Sequence, residues 1–204
     1  MNAQALVQTQ QQGPVLVVSI NNPPVNALGQ GVRAGLLAAV EQLEQDAALK
    51  AMLIVGQGKA FIAGADIREF GKPPMAPALP DVLNRMETGS KLVVAAIHGP
   101  ALGGGLEVAM ATHFRVALAG AKLGLPEVNL GLLPGAGGTQ RLPRLMGVKA
   151  AAELMLSGKH LSAKAAAAAG LVDQLVEGTD PVAADLAYAN ELLAQGAQPR
   201  RTRD

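Results

Sequence analysis

Gly99-Pro-Ala-Leu-Gly-Gly-Gly-Leu-Glu107 decides how this chain is read. The apolar run Lys91-Leu-Val-Val-Ala-Ala-Ile-His98 leads into it, and a helical stretch, 106–112, leads out. A strand that ends in consecutive glycines and becomes a helix leaves backbone N–H groups unpaired at the helix start. The positive end of the helix dipole lies there too. Glycines also let a ligand come close to the main chain. Glu107 follows within one helical turn. One short segment therefore offers an anion-stabilising backbone beside a proton-transfer group, and the rest of the chain must supply partners for both.

Working outward, strands and helices alternate. Towards the N-terminus the apolar run 92–97 is a strand. Before it lie a mixed-polarity helix from 81 or 83 to 90 and a loop, 71–80, with Pro73, Pro74, Pro77 and Pro80. Further back, 51–55 is a buried strand. The stretch 28–46 has helical spacing in Val32, Leu36, Leu37, Val40 and Leu43, and 15–20 is a β-branched strand between Gly13-Pro14 and Asn21-Asn-Pro-Pro24. Residues 1–12 are Gln-rich and aperiodic, and a flexible start is expected. Towards the C-terminus come strands at 114–118 and 122–125, helices at 139–146, 148–157 and 162–169, a strand at 171–175 and a helix at 181–193. The pattern is that of an α/β fold with parallel pairing. It gives one domain, 13–194, followed by a loose tail, 195–204.

Composition narrows the function. Half of the 204 residues are hydrophobic, so a large core is available. Seventeen Lys+Arg against sixteen Asp+Glu leave a net charge of +1, without the basic excess of a nucleic-acid binder. Aromatics make up 2%, too few for base-stacking platforms. There is no Cys, which excludes disulfides and thiolate ligands, and His98, His113 and His160 are scattered, so no metal site is expected. No apolar run reaches the roughly 18–20 residues of a membrane span. The N-terminus lacks a signal peptide's basic and apolar regions. The C-terminus is no peroxisomal address. A soluble protein of a reducing compartment, the cytoplasm, is expected.

Two carboxylates stand out, because each lies beside glycine or proline in an apolar segment: Glu107, and Glu127 in Leu123-Gly-Leu-Pro-Glu-Val-Asn-Leu-Gly131. A helix and two short strands between them suffice to return the chain. Apolar surroundings raise a carboxyl's pKa, and two carboxyls together push their values apart. Such a pair can work as acid and base near neutral pH. Taken singly, each also fits a solvated Glu at a helix start. The segment Ala63-Gly-Ala-Asp66 can present a backbone N–H at a strand end. Paired with that of Gly104 it makes a two-donor oxyanion hole; alone it is equally an ordinary turn. Asp66 can cap a following helical turn. Gly135-Ala-Gly-Gly138 fails as a dinucleotide fingerprint, since Gln140 stands where the third glycine belongs. Lys59, Arg68 and Lys72 are candidates for a ligand's phosphates and equally plain surface charges. His98 reads as a packed histidine.

Taken together, four segments resemble the enoyl-CoA hydratase/isomerase (crotonase) family. They are Phe61-Ile-Ala-Gly-Ala-Asp-Ile-Arg-Glu69, Ala101-Leu-Gly-Gly-Gly-Leu-Glu-Val-Ala-Met110, Leu123-Gly-Leu-Pro-Glu-Val-Asn-Leu-Gly131 and Leu133-Pro-Gly-Ala-Gly-Gly-Thr-Gln-Arg-Leu-Pro-Arg144. They are joined by Asn22-Pro-Pro-Val-Asn-Ala27. The resemblance runs from about residue 13 to about 190. It implies a spiral of repeated ββα units. It implies an acyl-CoA substrate, its thioester oxygen held by the N–H groups of Ala65 and Gly104, with no metal or cofactor beyond the coenzyme A of the substrate. By the same resemblance Glu107 activates water, Glu127 delivers a proton to Cα, and Gly135 lies beside the attacking water. Ala63, Asp66, Ile67 and Arg68 line the coenzyme A arm. The implied reaction is hydration of a 2-enoyl-CoA in β-oxidation. The alternatives are Δ3-Δ2-enoyl-CoA isomerisation, with the same carboxylates moving a proton, and a non-catalytic acyl-CoA-binding module. The chain looks most like the amino-terminal hydratase part of multifunctional β-oxidation enzymes, cut from a longer protein. Its implied partners are a linked dehydrogenase or further copies of itself.

Overall fold

The computed structural model describes residues 5–176 and 181–202, with the side chains of 181–184 set aside. The elements run β1 Val7–Gln12, β2 Val15–Ile20, α1 Gln30–Gln45, β3 Ala51–Gly56, β4 Ile62–Ala63, α2 Leu79–Glu87, β5 Leu92–Ile97, β6 Ala101–Leu102, α3 Gly104–Met110, β7 Phe114–Leu118, β8 Lys122–Gly124, α4 Gly138–Met146, α5 Val148–Ser157, β9 His160–Ser162, α6 Ala163–Ala168, β10 Gln174–Val176 and α7 Pro181–Ala194. Short 3-10 turns occupy Ile67–Glu69 and Pro126–Leu130.

Two sheets organise the chain. The larger has the order β1-β2-β3-β5-β7-β10, the smaller β4-β6-β8-β9. Successive turns of the chain give one strand to each sheet: β3 then β4, β5 then β6, β7 then β8. These strands run parallel to their counterparts in the neighbouring turn. This is the spiral of ββα units, the crotonase-like α/β fold that the four segments imply.

The middle of the large sheet is covered on both faces, which is why β2, β3 and β5 read as nearly unbroken apolar runs. The period of two divides each strand between two cores. Leu16, Val18, Ile20, Met52 and Ile54 join the main core with α1, α2 and α3. Val15, Val17, Ala51, Leu53 and Val55 pack under Tyr188, Ala189 and Leu192 of α7.

Three expectations need correction. Val7–Gln12 is an antiparallel edge strand on β2, so the flexible start does not extend through residue 12; residues 1–4 lie outside the described residues. Its glutamines are mostly exposed, and it is held by backbone pairing rather than burial, so it carries no hydrophobic pattern. Helix α2 starts at Leu79 rather than at 81 or 83, because Pro80 lies in its first turn, where a missing N–H costs nothing. The tail is not loose at Arg200 or Thr202. Arg200 pairs with Asp173, donates to the His113 carbonyl at 2.6 Å and lies over the Phe114 ring. Thr202 bonds Glu87.

Candidate active site

The three glycines before Glu107 serve different ends. Gly103 has φ +53°, a left-handed value that favours glycine, and it precedes the first turn of α3. A Cβ at Gly105 would lie 1.9 Å from the Ile62 carbonyl oxygen, so α3 can sit against β4 only there. Gly105 therefore serves helix–strand packing rather than ligand access. At Gly104 an added Cβ would be 3.9 Å from the Ala65 nitrogen, which brings these two main-chain positions together. Neither the Ala65 nor the Gly104 N–H donates to another protein group among the described residues.

The register of the small sheet explains this meeting. Ala63 pairs with Leu102, and Leu102 with Gly124. Ala65, Gly104 and Glu127 therefore leave three adjacent strands two, two and three residues beyond one row. The Gly103 N–H donates to the Gly124 carbonyl at 2.9 Å and closes the row on that side. On the other side the Leu28 N–H donates to the Gly64 carbonyl at 3.0 Å. Asn26 anchors this edge. Nearly buried, with φ +57°, it sends its side-chain amide to the carbonyls of Gln57, Ala60 and Phe61.

Both glutamates line one cavity of about 410 Å³. Glu107 is 3% exposed. Its Oε1 accepts the Ala136 N–H at 2.7 Å and the Gly138 N–H at 2.8 Å. Burial raises its carboxyl above the ordinary range, and these two donors and the charge of Arg141 oppose that rise without cancelling it. Glu127 has only its own backbone N–H for such support. Its Oε2 is buried and lacks a partner among the described residues. Burial raises its carboxyl too, its own backbone N–H opposes that, and the charge of Glu107 adds to the rise.

Of the other expected residues, Ala63, Ile67 and Gly135 line the same cavity. Asp66 and Arg68 do not, and they bind each other instead. Arg68 donates to both oxygens of Asp66, which is pulled down to about 2 by those contacts and caps the Ile67–Glu69 turn. The apolar wall comes from Leu130, Leu132, Leu133, Phe70 and Leu79, read in the sequence only as connecting segments. The rim is open: Leu133 is 77% exposed. The 135–138 turn, which fails as a dinucleotide fingerprint, supplies the two N–H groups on Glu107. No side-chain type marks that role, so only the fold reveals it. Among the described residues no three His, Asp or Glu side chains gather as a metal site.

Two uncommitted N–H donors on neighbouring main-chain positions, two carboxyls with unlike surroundings and an apolar wall are chemically suited to a carbonyl compound that exchanges protons next to its carbonyl. The chain belongs to the enoyl-CoA hydratase/isomerase family, whose model matches residues 10–202. Among individual relatives, a peroxisomal bifunctional enzyme of Danio rerio is 50% identical over 163 residues, which is 80% of this chain and 23% of that one. A probable enoyl-CoA hydratase of Bacillus subtilis is 47% identical over 165 residues, 78% of this chain and 64% of the relative. The solved enoyl-CoA hydratase of Mycobacterium tuberculosis superposes with a TM-score of 0.87 at 34% identity, covering 94% of this chain and 77% of that one. The chain thus spans about a quarter of the bifunctional relative's length.

Proposed function

We propose that this chain is an enoyl-CoA hydratase: it adds water across the 2,3 double bond of a 2-enoyl-CoA and yields a 3-hydroxyacyl-CoA in fatty-acid β-oxidation. The observation that carries this reading is the asymmetry of the two carboxyls beside two uncommitted N–H groups. Burial raises both carboxyls, but two backbone donors support the charge of Glu107, which takes the part of the base. Glu127, with a buried oxygen that has no partner among the described residues, takes the part of the acid. Water attacks Cβ as Glu107 Oε2, the oxygen not tied to the 135–138 turn, takes its proton. Charge builds on the thioester oxygen, where the N–H groups of Ala65 and Gly104 and the start of α3 stabilise it more than the neutral ground state. Glu127 gives its proton to Cα, and a proton moving from Glu107 to Glu127 resets the pair. Nothing in these steps calls for a cofactor; coenzyme A belongs to the substrate. The acyl chain lies along Leu130, Leu132, Leu133 and Phe70, and the coenzyme A arm passes Ala63 and Ile67.

The test follows the loss of conjugated thioester absorbance with a short 2-enoyl-CoA. Glu107→Gln and Glu127→Gln should each lower kcat by about 10²–10⁴, the usual worth of a positioned acid or base. Full activity in either variant rules the mechanism out. A 3-enoyl-CoA substrate measures isomerase activity in the same cavity, and tight acyl-CoA binding without turnover would mark a non-catalytic module. The 23% span of the bifunctional relative supports reading this chain as the hydratase part of a larger enzyme with a linked dehydrogenase. Sedimentation of the purified protein tests self-association. The cytoplasmic placement stands beside relatives named as peroxisomal, and fractionation of cells making the full-length protein decides between them.

A further inference from the structure

Arg141 lies behind the catalytic pair and is 6% exposed. Its guanidinium makes three kinds of contact. Nη1 donates to the Ala136 carbonyl at 2.9 Å. Nε and Nη2 donate to Glu87 Oε2 at 3.2 and 2.8 Å. Nη2 also donates to Asn84 Oδ1 at 3.2 Å. Residue 136 is thus gripped from two sides, its N–H by Glu107 and its carbonyl by Arg141. The grip is anchored, because Glu87 uses its other oxygen to accept the Thr202 N–H at 3.0 Å and the Thr202 hydroxyl. A chain of contacts therefore runs from the C-terminal segment through α2 and α4 to the oxygen of Glu107.

We infer that Arg141 is a positioning residue for Glu107: by clamping the 136–138 turn against Glu87 it aims the Ala136 and Gly138 N–H groups at Oε1, fixing which oxygen of Glu107 meets water. This rests on the hydratase reading of the site. The simpler alternative is that Arg141 and Glu87 form an ion pair that only ties α4 to α2. The alternatives differ when the pair is removed without leaving a buried charge. Replacing a buried ion pair by apolar residues of similar size is often neutral for stability, whereas removing one partner is not.

The double variant Glu87→Met/Arg141→Met is therefore the main test, with Arg141→Lys beside it. A structural pair predicts that the double variant melts like the parent and hydrates like it. A positioning role predicts kcat lowered by about 10–100-fold at little changed KM, the scale of a misplaced catalytic group. It also predicts that the acid limb of the kcat–pH profile moves up, because the Glu107 carboxylate has lost a cation and two aimed donors. The charged groups that face Glu107 are Arg141 from α4 and Glu127 from the Pro126–Leu130 turn. Arg141→Lys keeps the charge and one donor and should recover part of kcat. Parent-like kcat and acid limb in the folded double variant overturn the proposal. If that variant does not fold, parent-like kcat and acid limb in Arg141→Gln do so instead. If the parent itself fails to hydrate enoyl-CoA, the hydratase reading falls. The clamp is then judged by carbon-13 titration of the Glu107 carboxyl, assigned with Glu107→Gln. An upward move in the Met/Met or Gln variant supports the clamp, and an unmoved titration ends it.

Discussion

Glu127 sets function against stability in a single side chain. Its carboxyl is raised in the folded state above the ordinary carboxylate range, chiefly by burial. The folded chain therefore keeps a proton that the unfolded chain gives up. That contribution to stability is complete below the ordinary carboxylate range and is lost as pH rises through the folded value. Above it, the folded protein carries a buried charge with an unpartnered oxygen. Glu127→Gln, neutral at every pH, should melt higher than the parent at about pH 8, by about 1 kcal/mol or roughly 2–4 °C in a chain of this size. The difference should shrink as the pH falls towards the ordinary carboxylate range. Thermal melts of both proteins across that span check it. Glu107 answers to the same rule: burial raises its carboxyl too, while its two backbone donors favour the charged form.

Among the elements, the shortest matter most to the site. β4 and β6 have two residues each, too few to show alternation, yet they place Ala65 beside Gly104. The connection into β4 depends on Asn26. Asn26→Ala removes its three carbonyl contacts and puts Cβ without a polar side chain at φ +57°. Loss of about 3 kcal/mol is expected, from unsatisfied carbonyls together with backbone strain. Urea unfolding measures it, and kcat should fall with it as the Ala65 N–H drifts. The long elements were legible in sequence because burial on one face writes a period into them and burial on both faces an unbroken apolar run: β5, β7 and α5 have the expected bounds. Glu107 and Glu127 were legible because a carboxylate in an apolar segment is out of place. The 135–138 donors were not, since every residue but proline has an N–H and only tertiary position selects one. The capping role of Asp66 was legible too, since an Asp before a helical turn can accept its N–H groups. Its pairing with Arg68 is a contact that the sequence did not single out.

Over the whole molecule, distant parts of the chain are tied together by a few buried ions. Arg115, at 1% exposure, is pulled down by burial to about 10 and so remains a cation at neutral pH. Asp173 receives the Arg115 backbone N–H at 2.7 Å, lies 3.6 Å from its guanidinium and also pairs with Arg200 of the tail. One carboxylate thus joins β7, the approach to β10 and the C-terminal segment. Asp173→Ala leaves Arg115 buried without its counter-ion and should cost about 3–5 kcal/mol. It should also free the tail. Denaturant midpoints report the first effect, and faster trypsin cleavage at Arg200 and Arg201 the second. Glu87 plays the corresponding part on the other side, between the tail and the turn that holds Glu107.

The row Ala63, Leu102, Gly124 makes the chemistry a matter of counting. Each working group stands a fixed number of residues past its own place in the row. Deleting one residue between Leu102 and Gly104, or between Gly124 and Glu127, would slide a donor or an acid by a full backbone step of roughly 3.3 Å and turn it to the other side. A residue gained or lost upstream of a row position, such as in the 119–121 bend, leaves all three counts intact. Chains built this way can lengthen and shorten freely between rows and still deliver the same three groups to the same point.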